Sequence, residues 1–146
     1  MSFLGWDTHA DEKPLDGQLN RLLGALDAAI DGLRSELASA WKDTVVVVAT
    51  EFGRTARMNG TLGTDHGTAT IALLFGGAVK GGRVIADWPG LADTKLYQNR
   101  DLAPTADVRA LFKGILRDHV GLDEKQLAEQ VFPASTQIKP LGGLVV

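Results

Sequence analysis

The 146-residue chain contains no cysteine. That absence excludes disulfides and thiolate metal sites, so any bound metal must be held by nitrogen and oxygen donors, a set that suits zinc, manganese, magnesium or calcium. No apolar run reaches the length needed to span a bilayer, so no membrane partner is expected. Met1-Ser2-Phe3-Leu4-Gly5-Trp6 has no basic region followed by an apolar stretch and so does not read as a secretory signal. No basic cluster is interleaved with aromatics, and the net charge of −3 argues against a nucleic-acid partner. A Gly-x-Ser-x-Gly elbow is missing, which disfavours a serine hydrolase. There are no repeats and no low-complexity segments.

What is present fits one domain over residues 1–146, with 45% hydrophobic and 23% charged residues, enough to bury a core. Ser2–His9 reads as a strand ending in a loop. In a strand, residues two apart share a face, so Asp7 and His9 are expected to point together. Ala10–Asp16 is polar and carries Pro14, a loop. From Leu15 to Trp41, Leu19, Leu22, Leu23, Leu26, Ile30, Leu33 and Leu37 recur at helical spacing, a stripe expected to pack in the core, with Asp16 as N-cap.

Thr44–Thr50 is a β-branched run, apolar on both faces, as in a central strand covered by helices. Helix followed by such a strand predicts an α/β fold with a mostly parallel sheet flanked by helices, in which sites form beyond the carboxyl ends of strands. Glu51 and Arg54 occupy that place: Glu51 as a ligand or acid/base, Arg54 as a holder of phosphate or sulfate, or the two simply as an ion pair or helix cap. Thr70–Phe75 predicts a second buried strand and Arg83–Ile85 a returning one, with a glycine-rich turn between and an irregular loop over Asp87–Arg100. Thr105 is expected to cap a helix over Ala106–Val120 that ends at Gly121, with Asp107 in its first turn and His119 in its last. Asp123–Val131 reads as a short helix and 132–146 as an irregular tail.

The chemistry is concentrated in two short motifs. Gly5-Trp6-Asp7-Thr8-His9 and Gly63-Thr64-Asp65-His66-Gly67 hold two of the three histidines, each beside an aspartate. Asp7, His9, Asp65 and His66 are therefore the candidate ligands, two to each of two metals or four to one. Two divalent ions about 4 Å apart would clamp the attacking and leaving oxygens of a phosphoryl-type displacement. A single zinc, the foremost candidate, would polarise a substrate or activate water.

These motifs, with Glu51-Phe52-Gly53-Arg54, Asn59-Gly60, Gly76-Gly77 with Lys80-Gly81-Gly82, and Asp101-Leu102 with Pro104-Thr105, Asp107 and Arg109, resemble DUF1501, a bacterial family of the alkaline phosphatase/sulfatase superfamily. The resemblance implies an alkaline-phosphatase-like fold, of which this chain would be the C-terminal part, and hydrolysis of phosphate or sulfate esters at a metal site. It implies metal ligation by Asp65 and His66, with Asp7 and His9 as candidates for a second metal. Asp7 and His9 are two apart where the superfamily spaces its pair by four, and the superfamily's hydroxyl or thiol-derived nucleophile comes from an N-terminal half. Full-length relatives are often exported to the periplasm. The alternative expectation is a non-catalytic structural or binding module. A half-fold would expose sheet edges, so a homodimer is expected.

Overall fold

The computed structural model describes residues 5–13 and 15–146. The expected strand Ser2–His9 therefore lies partly outside them, and the described part, Gly5–His9, is extended coil without strand pairing. The chain divides into two compact units built from interleaved segments. One comprises Met1–Ala38, Val48–Leu73 and Pro89–Pro104; the other comprises Ser39–Val47, Leu74–Trp88 and Thr105–Val146.

The first unit contains the long helix α1, Gln18–Leu37. Its N-cap is Gly17, without a side-chain cap bond, not Asp16. The leucine stripe fixes the helix but is mostly uncovered: Leu26 alone is buried along it, and Leu23 and Leu33 are exposed. Helical periodicity records which face is apolar, not what covers it. The unit's other regular element is a ribbon of β2, Gly53–Arg54, antiparallel to β3, His66–Gly67. It is extended by an isolated bridge from Thr55 to Asp101.

The valine run forms only β1, Val46–Val48, paired with β4, Leu73–Phe75. The expected α/β fold is thus overturned. Among the described residues there are two sheets of two strands each, and no parallel sheet flanked by helices of the alkaline-phosphatase kind. The physical reason is that β-branched residues specify extended backbone, whereas the number of neighbouring strands is a tertiary property. The valines of β1 are only half-buried, not sealed on both faces. Arg83–Ile85 is exposed and forms no strand.

In the second unit, α2 spans Val108–Ile115 and continues as a wider turn over Leu116–Val120, ending at Gly121 as expected. Its cap is Asp107, not Thr105. The Asp107 carboxylate accepts from the Arg109 backbone N–H at 2.9 Å and from the Arg109 guanidinium at 2.9 and 2.7 Å. These bonds, led by the guanidinium, hold the Asp107 carboxyl below its ordinary value of 3.8. The short helix α3, Glu124–Gln126, opens on a reciprocal Asp123–Gln126 capping box.

Ile115, Leu144 and Val145 form this unit's core, packed by Val45, Val47, Leu74, Leu111 and Leu141. The tail over 132–146 is irregular but not peripheral. It supplies two of the three central core residues and bridges Val79 through Val145. The buried Lys113 of α2 ties down the same tail, donating to the carbonyls of Ser135 at 2.6 Å and Ile138 at 3.0 Å.

Candidate metal centre

The centre lies wholly in the first unit. Its frame follows from the glycines of the two motifs. In the β2–β3 register Gly53 opposes Gly67 and Arg54 opposes His66. A Cβ on Gly53 would come within 2.4 Å of the Ala69 backbone nitrogen, and one on Gly67 within 2.5 Å of the Arg54 carbonyl carbon. The two backbones approach that closely because neither position carries a side chain. Gly63 does the same for the third strand of chain, since a Cβ there would meet the His9 carbonyl carbon at 2.3 Å.

Asn59 organises the loop between the two strands. Its side-chain oxygen accepts from the backbone N–H groups of Thr61 and Gly63, each at 3.0 Å. Its side-chain nitrogen donates to the His9 carbonyl and to Asp65 Oδ1, each at 2.9 Å.

On this frame Asp7, His9 and His66 present donor atoms that all lie within 4.8 Å of one another. Asp7 Oδ1 is the hub, 2.6 Å from His66 Nε2 and 3.1 Å from His9 Nε2. Donors on a tetrahedral ion at about 2.0–2.1 Å stand about 3.3 Å apart, so zinc would need the Asp7–His66 contact to open and the three donors to adjust around it. The side chains are 66%, 43% and 40% exposed for Asp7, His9 and His66, leaving one face of the cluster to solvent. The hydrogen bond with His66 holds the Asp7 carboxyl below its ordinary value of 3.8.

The two imidazoles are fixed differently. His66 stacks on Phe52, centroids 4.4 Å apart and planes within 7°. His9 places Nδ1 3.0 Å from the Thr64 carbonyl. A carbonyl only accepts, so His9 Nδ1 carries the proton, and in the neutral ring Nε2 is a bare lone pair aimed at Asp7. A charged ring instead donates from Nε2 to Asp7, and a neutral ring offers that lone pair to a cation. Metal-ligating histidines are oriented in this way, through an outer hydrogen bond from the other ring nitrogen.

The remaining expected site residues fall elsewhere. Asp65 lies at the Nδ1 edge of His9, with Oδ1 3.9 Å away, and is outside the three-donor group. Glu51 is exposed just before the ribbon. Arg54 donates from Nη1 to the carbonyls of Thr8 and Thr64, and from Nη2 to that of Trp6 at 2.9 Å. It also faces Glu12 at 3.7 Å and Asp7 at 4.0 Å. His119 sits in the second unit, in the last turn after α2. Sequence reasoning missed Glu12, which accepts from Thr8 Oγ1 at 2.7 Å and from Thr64 Oγ1 at 3.1 and 3.2 Å. The one signal was its place three residues after His9, in a stretch that otherwise read as solvated loop.

The described residues thus combine one long helix, several short ones and two two-stranded ribbons with a solvent-facing Asp7–His9–His66 cluster. The model of the family described as protein of unknown function, DUF1501, matches residues 1–132, and the chain belongs to that family. No curated protein and no solved structure matches it.

Proposed function

We propose that Asp7, His9 and His66 hold one divalent ion, zinc foremost, in a domain of the hydrolase type that acts on phosphate or sulfate esters. The observation that carries the metal reading is the convergence of donor atoms from Asp7, His9 and His66 within 4.8 Å of one another. Two nitrogens and a carboxylate oxygen, with a face open to solvent, fit zinc in a site that keeps room for a ligand. The ester class comes from the likeness of the motifs to the alkaline phosphatase/sulfatase superfamily and does not draw on the fold. A divalent ion would supply Lewis-acid polarisation of an ester oxygen. The chain's own part is to present an ionised Asp7 and the two imidazoles on the solvent-facing side of the cluster. The hydroxyls of Thr8 and Thr64 both donate to Glu12 and tie the two motif segments together, and the attacking group in this reading is water. Screening the zinc-loaded chain against phosphate and sulfate monoesters tests it. Turnover lost in His66→Ala supports the reading, and no turnover on any ester rejects the catalytic part.

A second reading, a metal-holding or structural module without turnover, rests on Arg54. The guanidinium that would receive an ester anion is committed to three carbonyls. We also propose a homodimer, supported by the exposed leucines of α1. Sedimentation as a monodisperse monomer would reject it.

A further inference from the structure

We infer that Arg54 and Glu12 form a positioning pair that sets the tautomer and placement of His9, and that Arg54 is not an anion holder. This rests on the metal reading above. Three observations converge. Both protons of Arg54 Nη1 are taken by the carbonyls of Thr8 and Thr64, one on each ligand-bearing segment. The Thr64 carbonyl is also the acceptor for His9 Nδ1, so Arg54 fixes the group that fixes the ring. Glu12, with a side chain only 13% exposed, binds the hydroxyls of those same two threonines and faces Arg54 at 3.7 Å.

The pairing also answers an electrostatic problem. Arg54 Nη2 is 4.0 Å from Asp7 Oδ1, so an unbalanced guanidinium would repel a divalent cation held by Asp7. The Glu12 carboxylate supplies the balancing charge from a largely water-excluded position. Arg54 therefore needs Glu12 for its charge, and His9 needs Arg54 for its acceptor. Outer groups of this kind change metal affinity by about 10–100-fold when removed.

The test uses the full chain with cobalt(II) as the probe, read by titration and by its visible absorption, and the His9 tautomer by nitrogen NMR without metal. Wild type is compared with Arg54→Lys, Glu12→Gln, Thr8→Val and Thr8→Ser, and with Glu36→Gln as a control for the same charge change on an exposed part of α1. The expected result is affinity weakened about 10–100-fold in Arg54→Lys and Glu12→Gln, with an altered cobalt spectrum and a mixed His9 tautomer. Thr8→Val should show a smaller loss, and Thr8→Ser, which keeps the hydroxyl, should restore it. Thr8→Val also guards against unfolding in the charge variants. Wild-type affinity, spectrum and tautomer in Arg54→Lys and Glu12→Gln would overturn the positioning pair while leaving the metal site standing. A wild-type chain that takes up no cobalt would sink the metal reading. The tautomer measurement then decides the pair by itself: a mixed tautomer in the variants upholds it, and an unchanged one overturns it.

Discussion

The two units bury different chemistry. Among the described residues, the unit with the cluster buries Thr8, Thr55 and Asp101 together with the backbone at Gly53 and Gly63, and only Leu26 and Leu96 among its large apolar side chains. The other buries Ile115, Leu127, Leu144 and Val145, with Lys113 and Ser135 as the polar groups among them. Apolar burial is tolerant of direction, whereas the hydrogen bonds of the first unit hold only at fixed distances and angles. The first unit therefore looks like a frame for positioning groups, and the second like an ordinary packed core. The contrast predicts which kinds of change each will feel.

The largest effect should come from the packed side. Leu144→Ala removes a side chain that is only 2% exposed and should lower unfolding free energy by about 2–5 kcal/mol in chemical denaturation. A loss below about 1 kcal/mol would mean that the tail is not core. In the cluster unit a comparable change should come from a ligand and not from packing. Zinc at about 100 times its dissociation constant should stabilise by about 2.7 kcal/mol, visible as a raised melting temperature that His9→Ala abolishes. Equal shifts in both proteins would place the zinc elsewhere. Gly63→Ala should cost about 1–3 kcal/mol through overpacking against His9 and should weaken metal binding with it.

The smallest effect is a pH dependence. Asp107 has a depressed folded-state value, so its stabilisation is complete above the ordinary 3.8 and fades as pH falls through the lower folded value. Asp107→Ala should cost about 1 kcal/mol at neutral pH, the usual worth of a cap, and less in strong acid. The same penalty at pH 2 as at pH 7 would contradict that assignment.

Three of the four candidate ligands read from the sequence converge, and Asp65 stays outside the group. Asp7, His9 and His66 stand in short motifs whose glycines mark close backbone approach, and the structure brings these three together. What each partner does was not legible. Arg54 reads from sequence as a cation awaiting an anion, because its actual partners, the carbonyls of Trp6, Thr8 and Thr64, exist at every position of any chain and leave no mark on residue type. Glu12 sits in a polar stretch that nothing local distinguishes from solvated loop. For the fold, helix α1 and the helix after Asp107 follow from periodicity, although the expected caps Asp16 and Thr105 give way to Gly17 and Asp107. The sheet does not, since Thr44–Thr50 shows that the segment is extended without showing that, among the described residues, β1 has β4 as its only sheet neighbour. The tail's role was hidden for a similar reason: Leu141, Leu144 and Val145 have no regular spacing, and their burial comes from contacts with distant segments.

The central claim is that Asp7, His9 and His66 are a metal site. Elemental analysis of the purified chain beside His66→Ala tests it most directly. The account predicts one divalent ion per chain, zinc foremost, that disappears in the variant. A chain that holds no ion even after incubation with excess zinc, manganese or calcium would contradict it and leave the Asp7–His66 contact a structural hydrogen bond.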